Sequence, residues 1–180
     1  MAAECAATLA IVGPPPARGA GVDMRMSNAC FYDACSGLLT REAFSFMVDH
    51  HVKQAQRAQE FLTLAIFKAE RECVDAIVSA DEWIVKELAR LIRGAVRSTD
   101  LLARTADGVL SLLLVGIDYD RARCVIERID EHLRRYYRPP VLRISVGAAC
   151  CPTHAICADD LLQQALLQTV QLHSEPDPAL

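Results

Sequence analysis

The chain has 180 residues, of which 52% are hydrophobic and 23% are charged, as is typical of one globular domain with a substantial core. Its 19 basic and 23 acidic residues give a net charge of -4, and the absence of any Lys/Arg-rich run argues against a general affinity for nucleic acid. The longest apolar run, Ala6–Val12, is too short to span a membrane and has no basic residues before it, so we expect neither a membrane span nor a signal peptide.

The eight cysteines follow no regular spacing, and without a signal peptide they predict free thiols in a reducing cytoplasm. Cys151, His154 and Cys157 recur at intervals of three residues, a pattern that a metal ion on a loop could use. Because a fourth ligand is not evident, we favour a packing or loop role over zinc, and we assign no metal site and no cofactor.

Residues 1–30 are predicted to form a flexible N-terminal tail, because Gly13–Gly21 contains three consecutive prolines and cannot continue a helix or strand. Residues 31–180 then form one folded domain. A helix is predicted after Thr40, an N-cap residue followed by apolar residues at helical spacing. The continuous apolar run Phe61–Phe67 predicts a central strand.

The middle of the domain contains a link, a helix and a hairpin. Lys68–Ala80 is charged and then mixed in character, which suggests a short helix or an irregular link. The clearest amphipathic helix opens at Asp81. Two apolar runs, Leu101–Ala103 and Val109–Val115, flank the turn Ala106–Gly108 and predict a β-hairpin, because glycine suits a tight reversal.

The last part of the chain continues the alternation of helix and strand. We predict a helix over Ala122–Leu133 ended by Pro139-Pro140, a strand over Val141–Val146 closed by Gly147, and a helix over Ala158–Leu172. The order α-β-α-ββ-α-β-α predicts an α/β sandwich of two or three layers around a mixed or antiparallel sheet.

Several short motifs occur in an order that resembles the GGDEF domain of diguanylate cyclases, over about residues 33–173. Asp33–Phe44 is similar to the family's opening D-x-L-T-G-L-x-N-R-x-x-F, and Asp100–Arg104 resembles the D-x-x-x-R before its signature hairpin. Ser145–Ala148, Pro152 and Ala158–Leu162 resemble its late elements. The resemblance implies a palm-like α+β fold of the nucleotide-cyclase kind, with a mostly antiparallel sheet flanked by helices.

The positions that carry the family's chemistry differ in this chain. The family joins two GTP molecules with divalent metals held by carboxylates. In this chain the positions of those carboxylates are occupied by Ala65 and Phe67 in the strand, and by Gly108 and Val109 in the signature turn. Asp107 is the one carboxylate at the tip of the turn, and it lies one position before the place of the family's metal-binding acid.

The nucleotide-binding positions differ as well. Glu70 replaces a phosphate-binding lysine, Cys73 replaces a guanine-reading asparagine, Glu82 replaces an aspartate, and His173 replaces a late lysine. A carboxylate repels a triphosphate. From these positions we expect a degenerate domain with no catalytic residues that is not an enzyme.

A second site of the family, an R-x-x-D that binds the product cyclic di-GMP, keeps its pattern. Arg97 and Asp100 have the right register before the turn, and Arg128 falls where a further arginine completes the site. Arginines suit phosphates and the O6/N7 edge of guanine, while a carboxylate suits its N1 and N2 donors. The resemblance therefore implies that Arg97, Asp100 and Arg128 bind cyclic di-GMP.

The same residues have a purely structural interpretation. Arg97 in a last helical turn would favour the helix macrodipole with Asp100 as a local partner, and Arg128 could pair with Glu131 one turn on. Surface salt bridges are therefore an alternative to a binding site.

The sequence leaves two functions to be compared. The first is a catalytically inactive cytoplasmic regulator of bacterial signalling that binds cyclic di-GMP. The alternative is a module that binds another signalling or regulatory protein without nucleotide, through an apolar surface patch of Ala65, Phe67 and Val109. A homodimer is a further assembly that the resemblance suggests and the sequence does not settle.

Overall fold

A computed structural model describes residues 31–73, 76–136 and 142–172 of the chain. The predicted tail, residues 1–30, lies outside the described residues and stays a prediction. The proline pair Pro139-Pro140 lies outside them too.

The described residues form helices and strands in the order α1-β1-β2-α2-β3-β4-α3-β5-α4-β6. The helices are α1 Arg41–Ala58, α2 Glu82–Ala95, α3 Tyr119–Tyr136 and α4 Ala158–Leu167. The strands are β1 Leu62–Cys73, β2 Ala76–Ser79, β3 Leu101–Ala106, β4 Val109–Val115, β5 Leu142–Cys151 and β6 Val170–Leu172.

Strand β1 lies at the centre of the sheet, as predicted. The strand order is β3-β4-β1-β5-β6, with β2 paired to the far end of β1. Every pairing between these strands is antiparallel, and β1 is paired with β4 from Leu62 to Lys68 and with β5 from Leu62 to Arg71. The backbone groups of β1 are therefore satisfied from both sides over most of its length.

Helices cover both faces of the sheet and give three layers. Because successive strand residues point to opposite faces, Ala65 and Phe67 of β1 pack toward α2 and α3, whereas Leu64 and Ile66 pack toward α1 and α4. The predicted α/β fold, a mostly antiparallel sheet flanked by helices, is confirmed.

Two helix starts that were predicted from the sequence are confirmed. The hydroxyl of Thr40 accepts a hydrogen bond from the backbone N–H of Ala43 at 3.3 Å, so Thr40 is the N-cap of α1. Asp81 is the N-cap residue of α2, and the carbonyl oxygen of Asp81 accepts from Val85 at 3.1 Å.

The link predicted for Lys68–Ala80 as a helix or irregular segment is wrong. β1 continues to Cys73 and β2 folds back onto it, with Glu70 opposite Ser79. Pairing with β5 as far as Arg71 supplies backbone partners that a local pattern of charged residues does not reveal.

The predicted ends of the last strand and last helix are also wrong. β5 continues past Gly147 to Cys151, because pairing with β1 continues to its end. α4 ends at Leu167, and Val170–Leu172 forms strand β6 on the edge of β5. Pairing with neighbouring strands therefore determines both where β5 ends and where the chain leaves α4 for β6.

Local contacts account for the Cys-His pattern in the described structure. The ring atom Nδ1 of His154 accepts from the backbone N–H of Cys150 at 2.9 Å, and the Cys157 thiol accepts from the backbone N–H of Asp160 at 3.4 Å. Burial raises the pKa of the Cys151 thiol. No group of three or more metal-ligating side chains forms among the described residues. The free thiols include Cys35, Cys124, Cys150, Cys151 and Cys157.

The helices within the described ranges include none that is both long enough and apolar enough to cross a membrane.

Gly147 is required by a close approach of α4 to β5, which gives a test of the packing. A Cβ atom at Gly147 would lie 1.8 Å from the carbonyl oxygen of Ala165. We expect Gly147→Ala to lower the free energy of unfolding by about 1–3 kcal/mol, because the helix must move away from the strand. Urea unfolding followed by circular dichroism measures the change.

Gly94 provides the matched control, since a Cβ atom there would meet nothing within 4 Å and its helical backbone accepts alanine. Gly94→Ala should stabilise the protein by up to about 1 kcal/mol. Equal effects of the two substitutions would contradict the packing argument.

Candidate functional site

The β1 positions expected to carry metal-binding acids lie in the hydrophobic core. Ala65 and Phe67 are both fully buried and belong to the same apolar cluster as Ile84 and Leu88 of α2. The surface patch predicted for Ala65, Phe67 and Val109 is therefore wrong. Two of its members are inaccessible, and Val109 packs against the cluster on the opposite face of the sheet.

The predicted hairpin is confirmed, and its tip is held against β1. Gly108 has φ +69°, a left-handed conformation that favours glycine, and its carbonyl oxygen accepts from the backbone N–H of Ala69 at 2.8 Å. The register shifts between Arg104 and Ala106, as in a β-bulge. The side chain of Asp107 is 90% exposed at the tip.

Arg104 of β3 gathers three carboxylates beside the hairpin tip. Its Nη1 lies 2.7 Å from Oε2 of Glu82 and 3.8 Å from Oδ1 of Asp33, and its Nη2 lies 3.3 Å from Oδ1 of Asp107. Only 16% of the Arg104 side chain is exposed. The largely buried positive charge of Arg104 is therefore compensated by carboxylates from three separate parts of the chain.

Hydrogen bonds and charges shift the protonation of this cluster. A hydrogen bond from the Ser36 hydroxyl is the largest influence on Asp33 and lowers its pKa, with Arg104 adding to the effect. Burial acts to lower the pKa of Arg104, but the hydrogen bond and charge of Glu82 outweigh it and raise that pKa. Arg104 and Asp33 both stay charged over the physiological range.

The phosphate-binding position predicted from the resemblance carries a local ion pair. Oε1 of Glu70 lies 2.7 Å from Nζ of Lys68 on β1, and the Glu70 side chain is 25% exposed. Cys73 is the last residue of β1.

Arg97 and Asp100 lie in the connection between α2 and β3. The Asp100 carboxylate accepts from two backbone N–H groups, that of Arg97 at 2.9 Å and that of Val115 at 3.4 Å. Asp100 therefore shapes the connection, and each of its oxygens keeps a lone pair for another donor. The Arg97 side chain is exposed and forms no ion pair with the described residues, so the salt bridge suggested for Arg97 and Asp100 is not formed.

Arg128 reaches the same place from α3. Its guanidinium donates to the carbonyl oxygen of Ala95, in the last turn of α2, and does not pair with Glu131. This contact uses one of the N–H donors of the guanidinium and leaves others available. It also caps a helix carbonyl, which a cation at a helix C-terminus favours.

The three predicted residues line one cleft. Arg97, Asp100 and Arg128 face a cavity of about 470 Å³, whose other lining residues include Ile117, Arg121 and Val125. Arg97 and Asp100 also border a neighbouring cavity of about 550 Å³ with Tyr32 and Arg93. The fold thus brings Arg97 and Arg128, which are 31 residues apart in sequence, to the same cleft.

Comparison with known families decides the relationship. The sequence model of the family described as "Diguanylate cyclase, GGDEF domain" matches residues 30–175. This chain belongs to the GGDEF family. It is a GGDEF-domain signalling protein of the cyclic di-GMP family, and the resemblance inferred from the motifs is confirmed.

A curated relative from Escherichia coli K12, "Probable diguanylate cyclase DgcT", is 30% identical over 91 residues. The match covers 47% of this chain and 20% of that protein. The match therefore spans about a fifth of the length of this relative.

Solved structures share the fold. The coiled coil and GGDEF domain of Caulobacter crescentus DgcB, in complex with c-di-GMP, matches with a TM-score of 0.67 at 12% identity, over 80% of this chain and 81% of that one. The Pseudomonas aeruginosa diguanylate cyclase SiaD, in complex with its activator SiaC, matches with a TM-score of 0.65 at 18% identity, over 82% of this chain and 59% of that one.

The family match contradicts the expectation that this chain is not an enzyme. The matching family is described as that of the diguanylate cyclase GGDEF domain, and the curated relative is a probable diguanylate cyclase, so the comparison points to a cyclase family rather than to a non-enzyme. The expectation depended on residue identities at single motif positions, whereas the family model matches residues 30–175 as a whole.

Two basic residues near these sites, Arg104 and Arg121, were not predicted as site residues from the sequence. Arg104 was noted only as part of a motif, although its place opposite Leu110 on a buried strand pair predicts that its charge needs partners. Arg121 was not singled out, although it lies seven residues before Arg128 on one amphipathic helix and so shares its face.

Substitution of Arg104 tests whether the carboxylate cluster depends on it. We expect Arg104→Met to lower the free energy of unfolding by about 1–3 kcal/mol, because Glu82 and Asp33 lose a charged hydrogen-bond or ion-pair partner. Arg90→Met, which removes an exposed arginine paired with Glu87 at i,i+3, should lower the stability less than Arg104→Met does. Equal losses in thermal or urea unfolding would contradict the assigned role of Arg104.

Proposed function

We propose that this GGDEF-domain protein binds cyclic di-GMP in the cleft of Arg97, Asp100 and Arg128 and thereby acts as a regulator in cyclic di-GMP signalling. One observation carries the proposal. Two side chains from the connection between α2 and β3 and one from the middle of α3 line a single cleft of about 470 Å³.

The free donors and acceptors of these residues suit the ligand. The Arg97 guanidinium is exposed and forms no ion pair among the described residues, so it can bind a phosphate or the O6/N7 edge of guanine through two hydrogen bonds. The Asp100 oxygens can accept from the N1 and N2 donors of guanine. Arg128 keeps N–H donors beyond the one that contacts Ala95.

The shared fold indicates which ligand to test first. C. crescentus DgcB has the same fold and its structure contains c-di-GMP. Its 12% identity supports the fold alone, so the assignment of this ligand here depends on the cleft residues.

Calorimetric titration of the purified protein with cyclic di-GMP tests the proposal. We expect saturable binding to the wild-type chain, and at least about a tenfold loss of affinity for Arg97→Ala, because a hydrogen bond to a charged group contributes about 1.5–3 kcal/mol. Asp100→Asn should also weaken binding, since an amide presents a poorer acceptor to the guanine donors.

Arg134→Ala provides the control. Arg134 is also an arginine of α3, but it pairs with Asp130 and does not line the cleft. Its substitution should change the affinity by less than about twofold. Absence of heat at saturating ligand, or equal affinities of the Arg97 and Arg134 variants, would refute this site.

A second candidate function is binding of a protein partner without nucleotide, and exposed apolar side chains favour it. A cavity of about 420 Å³ lies between α1 and α4 and is lined by Phe44, Val48 and Leu166. Of its lining residues, Leu166 is 56% exposed and Leu162 is 40% exposed. Such a groove between two helices suits the apolar face of an amphipathic helix. P. aeruginosa SiaD, a protein of the same fold, is in complex with its activator SiaC.

Photo-crosslinking tests this second candidate. A crosslinking amino acid at Leu166 should capture one defined partner in cells, and the captured amount should not depend on cyclic di-GMP. The same amino acid at Arg134, outside the groove, should capture little. Equal capture at both positions would contradict a partner site in this groove.

A further inference from the structure

Arg121 of α3 lines the same cleft as Arg97 and Arg128. Arg121, Val125 and Arg128 all border the cavity, and their spacing of four and three residues places them along one stripe of the helix. Arg121 and Arg128 are separated by two helical turns, about 10 Å along the axis. The cleft therefore has cations at both ends of its α3 wall.

The charges in the cleft are unlike those of the whole chain. Three arginines and one aspartate line it, a net charge of +2, whereas the chain carries a net charge of -4. The Asp100 carboxylate is already bonded to two backbone N–H groups. Exposed cations collected in a concave surface raise the local concentration of anions.

Existing contacts leave the Arg121 guanidinium available. Its Nε lies 3.6 Å from Oδ2 of Asp118, and 78% of the Arg121 side chain is exposed. An exposed pair of this kind contributes little to stability, so a ligand phosphate can replace it at small cost. The start of α3 does not depend on this side chain, because Asp118 bonds to the backbone N–H of Arg121 at 2.8 Å.

We infer that Arg121 is a third ligand-binding guanidinium of this cleft and that it binds the second phosphate of a ligand that has two phosphodiester groups. The inference rests on the proposed function, since it concerns the same site. Arg97 and Arg128 bind one end of the ligand, and Arg121, two turns away on α3, binds the other. The second cation makes the cleft selective for a ligand with two phosphates over a ligand with one.

Titration with two ligands tests this inference. Cyclic di-GMP, with two phosphates, and cyclic GMP, with one, are each titrated into the wild type, Arg121→Ala, Arg123→Ala and Arg97→Ala. Arg123 is the matched control, because it lies two residues away on the same helix, is 63% exposed and does not line the cleft.

We expect Arg121→Ala to weaken cyclic di-GMP binding about tenfold or more. Its affinity for cyclic GMP, and both affinities of Arg123→Ala, should stay within about twofold of the wild type. Far-ultraviolet circular dichroism of each variant checks that α3 is intact.

Each other outcome overturns the inference. If Arg121→Ala binds cyclic di-GMP as Arg123→Ala does while Arg97→Ala is weakened, Arg121 lies outside the site and the proposed function stands. If Arg121→Ala loses affinity for both ligands equally, the Arg121 side chain does not select for the second phosphate. If the wild type does not bind cyclic di-GMP, the proposed function fails together with the inference.

Discussion

The double pairing of β1 is the constraint on which the rest of the structure depends. β1 is hydrogen-bonded to β4 on one side and to β5 on the other, and its two faces contribute to two separate cores. A strand in this position must be apolar on both faces, which explains the buried Ala65 and Phe67. The helices that carry the candidate site are positioned by packing on this sheet.

Two arginines near the hairpin differ in what surrounds them. Arg104 is largely buried and its charge is compensated by three carboxylates of the same chain, so it contributes to the local structure. Arg97 is exposed and has no charged partner within the described residues, so its charge is available to a ligand. Burial and charge compensation, rather than residue type, therefore distinguish Arg104 from Arg97.

Local patterns predicted the elements whose signals are contained within one segment. The cap at Thr40, the amphipathic helix after Asp81 and the glycine turn at Gly108 each depend on neighbours in sequence. Local sequence patterns did not predict the strands at Lys68–Cys73 and Val170–Leu172, because pairing with β5 determines them. Strand pairing joins residues far apart in the chain, so no window of sequence contains its cause.

The sequence by itself determined the family, the main helices and the signature hairpin, and it predicted a site made of Arg97, Asp100 and Arg128. Only the tertiary structure decided that these three residues share one cleft, that Arg121 joins them, and that Arg104 does not. The physical reason is that side-chain charge is encoded locally, whereas its partners are supplied by the packing of distant elements. The sheet and helices determine which arginines are compensated and which remain open to a ligand.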